Sequence, residues 1–234
     1  EMIEKMVPSA SDKQELKQKI EPMFEDLRNI LRGVYLIGDL SQKTSDKIVS
    51  YGERFSALIV NKIIEGSRLY DSTRLIKTTK QFNHHIPDIA YSNELIREAF
   101  RNEPLPKVAI VPGFISSSNE DGDITNLGRG GSDYTAAIIA AALDASVLEI
   151  WTDVDGFMTA DPKIIKSAYV IEELSFTEAI ELSNFGAKVI YPPTIFPVYH
   201  KSIPIRVKNT FKPEAEGTLI RDTKPTANGK IIKG

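Results

Sequence analysis

An α/β fold with a mostly parallel sheet covered by helices is the architecture this sequence predicts, on three observations. Short β-rich runs alternate with longer segments of helical spacing from residue 45 to residue 207. A glycine-rich turn, residues 127–131, abuts a run of helix-forming alanines. The strand-like run 147–151 delivers a polar loop, Thr152-Asp153-Val154-Asp155-Gly156, at its carboxyl end, which is where open α/β sheets bind ligands.

The elements follow in order. Residues 11–31 read as an amphipathic helix through Leu16, Ile20, Phe24, Leu27 and Leu31, with Pro22 expected to kink or break it. Residues 39–44 form a polar loop, and 45–65 place Ile48, Phe55, Leu58, Ile59 and Ile63 at helical spacing before Gly66 closes the segment. A strand is expected over 74–78, a helix over 92–100, and a strand over 107–111 halted by Pro112-Gly113. Then come a helix over 133–143, the strand 147–151, helices over 175–184 and 193–200, and an extended run over 203–207. There is no internal repeat, and only 222–229 has linker-like composition.

With 234 residues, 41% of them hydrophobic, the chain has enough apolar content for one compact unit. A net charge of −3 supplies no broad basic field, so neither nucleic acid nor an anionic membrane is an expected partner, and small molecules are. The chain has no cysteine, which excludes a disulfide framework and thiolate catalysis. The alanine-rich stretch 136–143 is broken by Asp144, far short of a membrane span, and a soluble, cytoplasmic protein is expected.

The run Leu127-Gly128-Arg129-Gly130-Gly131-Ser132-Asp133 has the makings of an anion site. Glycine permits positive φ and close approach, the first amides of the following helix lack intrahelical partners, and Arg129 adds a planar charged fork. The same residues would also serve as a turn in which Ser132 or Asp133 caps the helix. Spacing excludes two alternatives. Arg129, not lysine, follows Gly128 where a Walker loop needs lysine, and the glycine spacing of a dinucleotide fingerprint is absent.

Three segments in register resemble a known family: Gly128-Arg129-Gly130-Gly131-Ser132-Asp133 with the alanines after it, residues 151–163 beginning Trp151-Thr152-Asp153, and Asn184-Phe185-Gly186-Ala187-Lys188-Val189-Ile190-Tyr191-Pro192. They resemble the catalytic domain of aspartate kinases of the amino acid kinase superfamily, in phrasing nearest the kinase half of bifunctional aspartate kinase/homoserine dehydrogenase proteins. Ser50-Tyr51-Gly52-Glu53-Arg54-Phe55-Ser56 is similar to that family's helix with a substrate-binding glutamate, and Lys208-Asn209-Thr210 with Gly217-Thr218-Leu219-Ile220 to the end of its kinase domain. The resemblance covers residues 33–220. It implies a three-layer αβα sandwich of the amino acid kinase (carbamate kinase-like) fold. Residues 1–220 would be a partial catalytic domain, 1–32 its helical N-terminal portion, and 221–234 a tail toward a regulatory region. The family's opening strand and Lys-Phe-Gly-Gly-Thr-Ser phosphate loop have no counterpart here, so a fold incomplete at the N-terminus, inactive as an isolated chain, is expected.

The resemblance also implies roles. Glu53, on the flank of its helix beside Ile48, Val49 and Val60, would hold the amino group of L-aspartate, where the residues alone favour a solvated glutamate. Arg129 would pair with a substrate carboxylate, Gly131, Ser132 and Asp133 would complete that pocket, and Phe114 would wall it. Thr152, Asp153, Gly156, Met158, Lys163 and Lys188 would serve ATP, with Asp133 and Lys188 as catalytic positions. Met158 stands where the family has tyrosine and Lys163 where it has arginine, removing a stacking face and a bidentate fork. Magnesium would be held mainly through the nucleotide phosphates and water, with no protein ligand assigned. His84-His85 and His200 read as loop and helix-end residues. The implied chemistry is phosphoryl transfer from ATP to the side-chain carboxylate of aspartate in a full-length homo-oligomer. A binding or regulatory module without turnover, and an amino acid kinase for another acceptor, are the alternatives.

Overall fold

The computed structural model describes residues 2–82, 84–101, 104–187 and 189–222. Contacts group the chain into two compact units, residues 1–132 and 133–234, where length alone led to the expectation of one.

The first unit opens with helices α1 (Met2–Met6), α2 (Ala10–Ile37) and α3 (Gln42–Ile63). Serines start the two long ones: Ser9 accepts from the Asp12 amide and Ser41 from the Thr44 amide. Gly38, at φ 70, ends α2 by donating to the Val34 carbonyl. Val7, Leu16, Ile20 and Ile59 bury together, with Ile3, Phe55, Leu58 and Ile63 against them, each full burial being worth about 1.5–3 kcal/mol. Polar contacts fix the register of α2 on α3: Lys62 reaches Asp12 at 3.1 Å and Glu15 at 2.6 Å, and Tyr51 donates to Asp26. Burial, and then that hydrogen bond, push the Tyr51 hydroxyl up to about 12. Pro22 does not break α2 as expected. It is exposed, as is Gln18, the residue one turn back whose carbonyl loses its helical donor. The polar loop expected over 39–44 is shorter, because α3 already begins at Gln42.

Next come β1 (Ser67–Leu69), α4 (Ser72–Leu75), β2 (Lys77–Gln81), β3 (His84–Pro87), α5 (Ile89–Arg101), β4 (Val108–Ile110), β5 (Ile115–Ser118) and β6 (Ile124–Asn126). β1 pairs with β4 in parallel, and the four-stranded sheet runs β3-β2-β5-β6 with β2 and β5 parallel and both hairpins antiparallel. The strand expected over 74–78 is a helical turn followed by a strand, since the Asp71 carboxylate accepts from the Thr73 amide and caps α4. All four residues of β5 are buried although three are serines. Their hydroxyls are paired: Ser116 with Thr125 at 2.8 Å, Thr125 with Thr78 at 3.0 Å, and Ser117 donating to the Thr73 carbonyl at 2.7 Å.

The unit boundary falls inside α6 (Gly131–Ala142). The second unit continues with β7 (Leu148–Thr152), β8 (Glu173–Leu174), α7 (Phe176–Asn184), a 3₁₀ turn (Pro192–Thr194), α8 (Ile195–Tyr199), β9 (Ile205–Asn209) and β10 (Thr218–Ile220). Its sheet has the order β7-β9-β10-β8, with β7–β9 and β10–β8 parallel. The extended run expected from residue 203 pairs from Ile205 onward. A capping box between Ser175 and Glu178 starts α7. Ala137, Leu148, Ile150, Phe157, Leu174, Phe176, Ile195, Ile205 and Ile220 form the core of this unit. The linker-like stretch lies outside the described residues from 223 on, and among those described no helix is long and apolar enough to cross a membrane.

Candidate active site

Backbone conformation shapes the glycine turn. Gly128 and Gly130 take φ of 69 and 67, and the Gly131 amide closes on the Gly128 carbonyl at 3.0 Å. α6 starts directly at Gly131, leaving its first amides without intrahelical partners. Arg129 is exposed, and among the described residues it makes no hydrogen bond or ion pair.

A second loop lies against this turn. Phe114 has φ 69, and the Ile115 amide reaches the Gly113 carbonyl at 2.8 Å, making a γ-turn of the rare, strained positive-φ kind. The Leu127 amide donates to the Phe114 carbonyl at 2.8 Å. Space at the contact is short: a β-carbon on Gly113 would stand 2.7 Å from Ser132 Cα, too close without a backbone shift, and one on Gly131 3.0 Å from Phe114 Cδ2, so that the ring would have to give by a few tenths of an ångström. Phe114, Gly131 and Ser132 are therefore brought together, with Arg129 in the same turn. Backbone strain of this kind clusters at functional sites.

Glu53 is half-buried on α3 and has no hydrogen-bond or ion-pair partner among the described residues. Sequence reasoning missed what ties its helix to the turn. Asp46, buried, accepts from Asn126, whose side chain accepts from the Gly128 amide. The available signal was the Asn-x-Gly spacing of Asn126 and Gly128, which favours a side-chain-closed turn.

Asp133 is half-buried, and burial pushes its carboxyl above the usual range. An acid whose folded pKa is raised contributes stability that is present at low pH and lost as pH rises through that folded pKa. Asp133→Asn is therefore expected to be more stable than the parent at pH 7, with the difference shrinking as pH falls through the carboxylate range. Urea unfolding at several pH values checks this, and a variant less stable at pH 7 contradicts it.

In the second unit, β7 ends in a loop that carries most of the expected nucleotide residues. Thr152 donates to Asp153 at 3.3 Å, and Asp153 itself is exposed. Gly156 has φ 133, and a β-carbon there would stand 2.5 Å from Thr218 Oγ1. That hydroxyl accepts from the Phe157 amide at 2.9 Å and donates to the Ile171 carbonyl at 2.7 Å, a fastener the sequence reading did not identify. Asp155 accepts from Lys212 at 2.7 Å and Asn209 at 2.5 Å, and these two bonds hold its carboxyl below the usual range. Met158 is half-buried and pairs with Val170, whereas Lys163, the last residue of the stretch 151–163, is exposed. Lys188 lies outside the described residues. His84 and His85 open β3 rather than lying in the loop expected of them, with His85 3.4 Å from the Thr78 hydroxyl, and His200 follows the last residue of α8.

An α/β fold in which one glycine turn opens a helix and another shapes a strand end is the class that handles small anionic ligands. The chain belongs to the amino acid kinase family, whose model matches residues 8–209. It is 37% identical over 209 residues to the lysine-sensitive aspartokinase 3 of Escherichia coli, covering 88% of this chain and 46% of that protein. It is also 37% identical over 212 residues to the bifunctional aspartokinase/homoserine dehydrogenase of Buchnera aphidicola, covering 88% of this chain and 26% of that one. The crystal structure of E. coli aspartokinase III in complex with aspartate and ADP superposes with a TM-score of 0.85 at 35% identity, over 96% of this chain and 49% of that chain. The chain thus spans about half the length, or less, of the relatives it matches.

Proposed function

We propose that this chain is the catalytic region of an aspartate kinase, transferring the γ-phosphoryl group of ATP to the side-chain carboxylate of L-aspartate. The observation that carries the proposal is the strained Phe114 turn locked against the Arg129 glycine turn, in a chain similar to aspartokinases along most of its length. Residues 1–220 form that region, and 221–234 are the linker or tail after it.

In the reaction a carboxylate oxygen of aspartate attacks the γ-phosphorus, the bond to the β,γ-bridging oxygen breaks, and ADP leaves with the electron pair. The carboxylate is already ionised at neutral pH, so no general base is required. The residues act by alignment and charge. Glu53 holds the substrate amine, Arg129 takes a carboxylate in its fork, and Ser132, Asp133 and the first amides of α6 complete that side. Thr152, Asp153, Gly156, Met158, Lys163 and Lys188 serve the nucleotide. The oxygen donors of Thr152 and Asp153 suit a hard, water-rich cation, and magnesium arriving on the phosphates would neutralise their charge.

Calorimetric titration of this chain with magnesium–ADP and with aspartate, and trapping of the acyl phosphate by hydroxylamine in the full-length protein, test the proposal. Saturable binding of both ligands and aspartate-dependent hydroxamate are expected. Product formed only with another carboxylate or phosphate acceptor would make this a different amino acid kinase. Nucleotide binding without turnover on any acceptor would make it a binding module.

A further inference from the structure

A polar relay joins the N-terminal part of α3 to the glycine turn, and the proposed chemistry does not use it. Asp46 is 5% exposed. A carboxylate so buried is costly unless hydrogen-bonded, and its donors are two neutral amides, Gln42 Nε2 at 2.7 Å and Asn126 Nδ2 at 2.5 Å. Asn126, the last residue of β6, uses its other atom to accept from the Gly128 amide at 3.1 Å. Gly128 in turn accepts from Gly131, so the relay ends at the first residue of α6. Asp46 and Glu53 are seven residues apart on one helix, hence on one face and about 10.5 Å apart along the axis. A single rigid element therefore carries Glu53 and, two turns away, the fastening point of the loop that carries Arg129.

Resting on the aspartate kinase reading above, we infer that Asp46 and Asn126 are positioning residues: they set the spacing between Glu53, which takes the substrate amine, and Arg129, which takes its carboxylate. The relay is thereby a length gauge favouring aspartate over glutamate, which is longer by one methylene. Asn126→Ala removes both of its bonds and frees the turn from α3.

Steady-state kinetics of the full-length protein test this with aspartate and glutamate as acceptors. Asn126→Ala is expected to raise the KM for aspartate by about tenfold, leave the KM for ATP within about twofold, and narrow the preference for aspartate over glutamate. The reciprocal exchange Asp46→Asn with Asn126→Asp reverses the bond, placing the donor on the helix and the acceptor on the loop while leaving an oxygen for the Gly128 amide, and is expected to restore both the KM and the preference. If Asn126→Ala folds poorly, Asn126→Ser takes its place: its hydroxyl can still accept from the Gly128 amide but falls short of Asp46, and the same loss of preference is expected. Lowered stability with an unchanged aspartate KM and unchanged preference would reduce the relay to a structural hydrogen bond and overturn the inference, as would failure of the exchange to restore preference. A parent protein without aspartate-dependent turnover would overturn the underlying reading as well, a result seen before any variant is made.

Discussion

Gly217→Ala is expected to unfold the second unit at room temperature. A β-carbon at Gly217 would stand 1.8 Å from the Val207 carbonyl oxygen, on backbone already at φ 69. The clash is with main chain in the antiparallel β9–β10 pair, where Thr218 faces Val207, so no rotamer change relieves it. Left-handed backbone alone costs a non-glycine residue about 1–2 kcal/mol. Separating the two strands adds enough to bring the total to about 5 kcal/mol or more, comparable to the whole stability of a small domain. Gly52→Ala is the control. It lies inside α3 with nothing within 4 Å of the added carbon, and helix propensity predicts a gain of up to about 1 kcal/mol. The single tryptophan, Trp151, lies on β7 of the second unit and reports its unfolding in urea. A Gly217→Ala midpoint near that of the parent would mean that the hairpin can rearrange at little cost.

The largest functional effects are expected at Arg129 and Lys188, and they should differ in kind. Arg129→Lys keeps the charge but loses the planar fork, so in the full-length protein it should raise the KM for aspartate by about tenfold or more with little change for ATP. Lys188→Ala should act through ATP and turnover, lowering kcat by about two to three orders of magnitude if its ammonium stabilises the transferred phosphoryl group. Initial-rate kinetics varying each substrate at saturation of the other separate the two patterns. Equal effects of both changes on both substrates would show that the division into acceptor and nucleotide groups is wrong.

Elements that bury apolar residues at a regular period were legible in the sequence. α3, α5 and α7 all lie where helical spacing placed them, and so does β7, whose buried Leu148 and Ile150 alternate with exposed Glu149 and Trp151. β5 was not legible, because its burial is satisfied by hydroxyl pairing across strands rather than by apolar alternation, and that pairing exists only once Thr78 and Thr125 arrive from elsewhere. The β5–β6 hairpin was missed for the same reason. Gly131 and Gly156 were singled out through the family resemblance, whereas the turn glycines Gly128 and Gly130, both at positive φ, were legible from residue type. Asp46 and Thr218 were not, since a buried aspartate and a bridging threonine look like ordinary polar residues until their partners are in place.

The hydroxyl of Thr218 has a consequence for how the protein is made. It joins Phe157 to Ile171 in a loop whose own residues left the ribosome some fifty to sixty positions earlier. β8, the two-residue strand after that loop, also finds its parallel partner only in β10. During synthesis the Thr218 bonds to Phe157 and Ile171 and the pairing of β8 must therefore wait for residues 218–220, although bonds inside the stretch, such as the Ile171 amide to the Phe157 carbonyl, can close earlier, and until then Phe157 and Leu174, both fully buried at the end, lack part of their final surroundings. The loop proposed to serve the nucleotide is thus fastened to its sheet late, and a ribosome pausing before the codon for Thr218 would hold a nascent chain in which that fastening is not yet made.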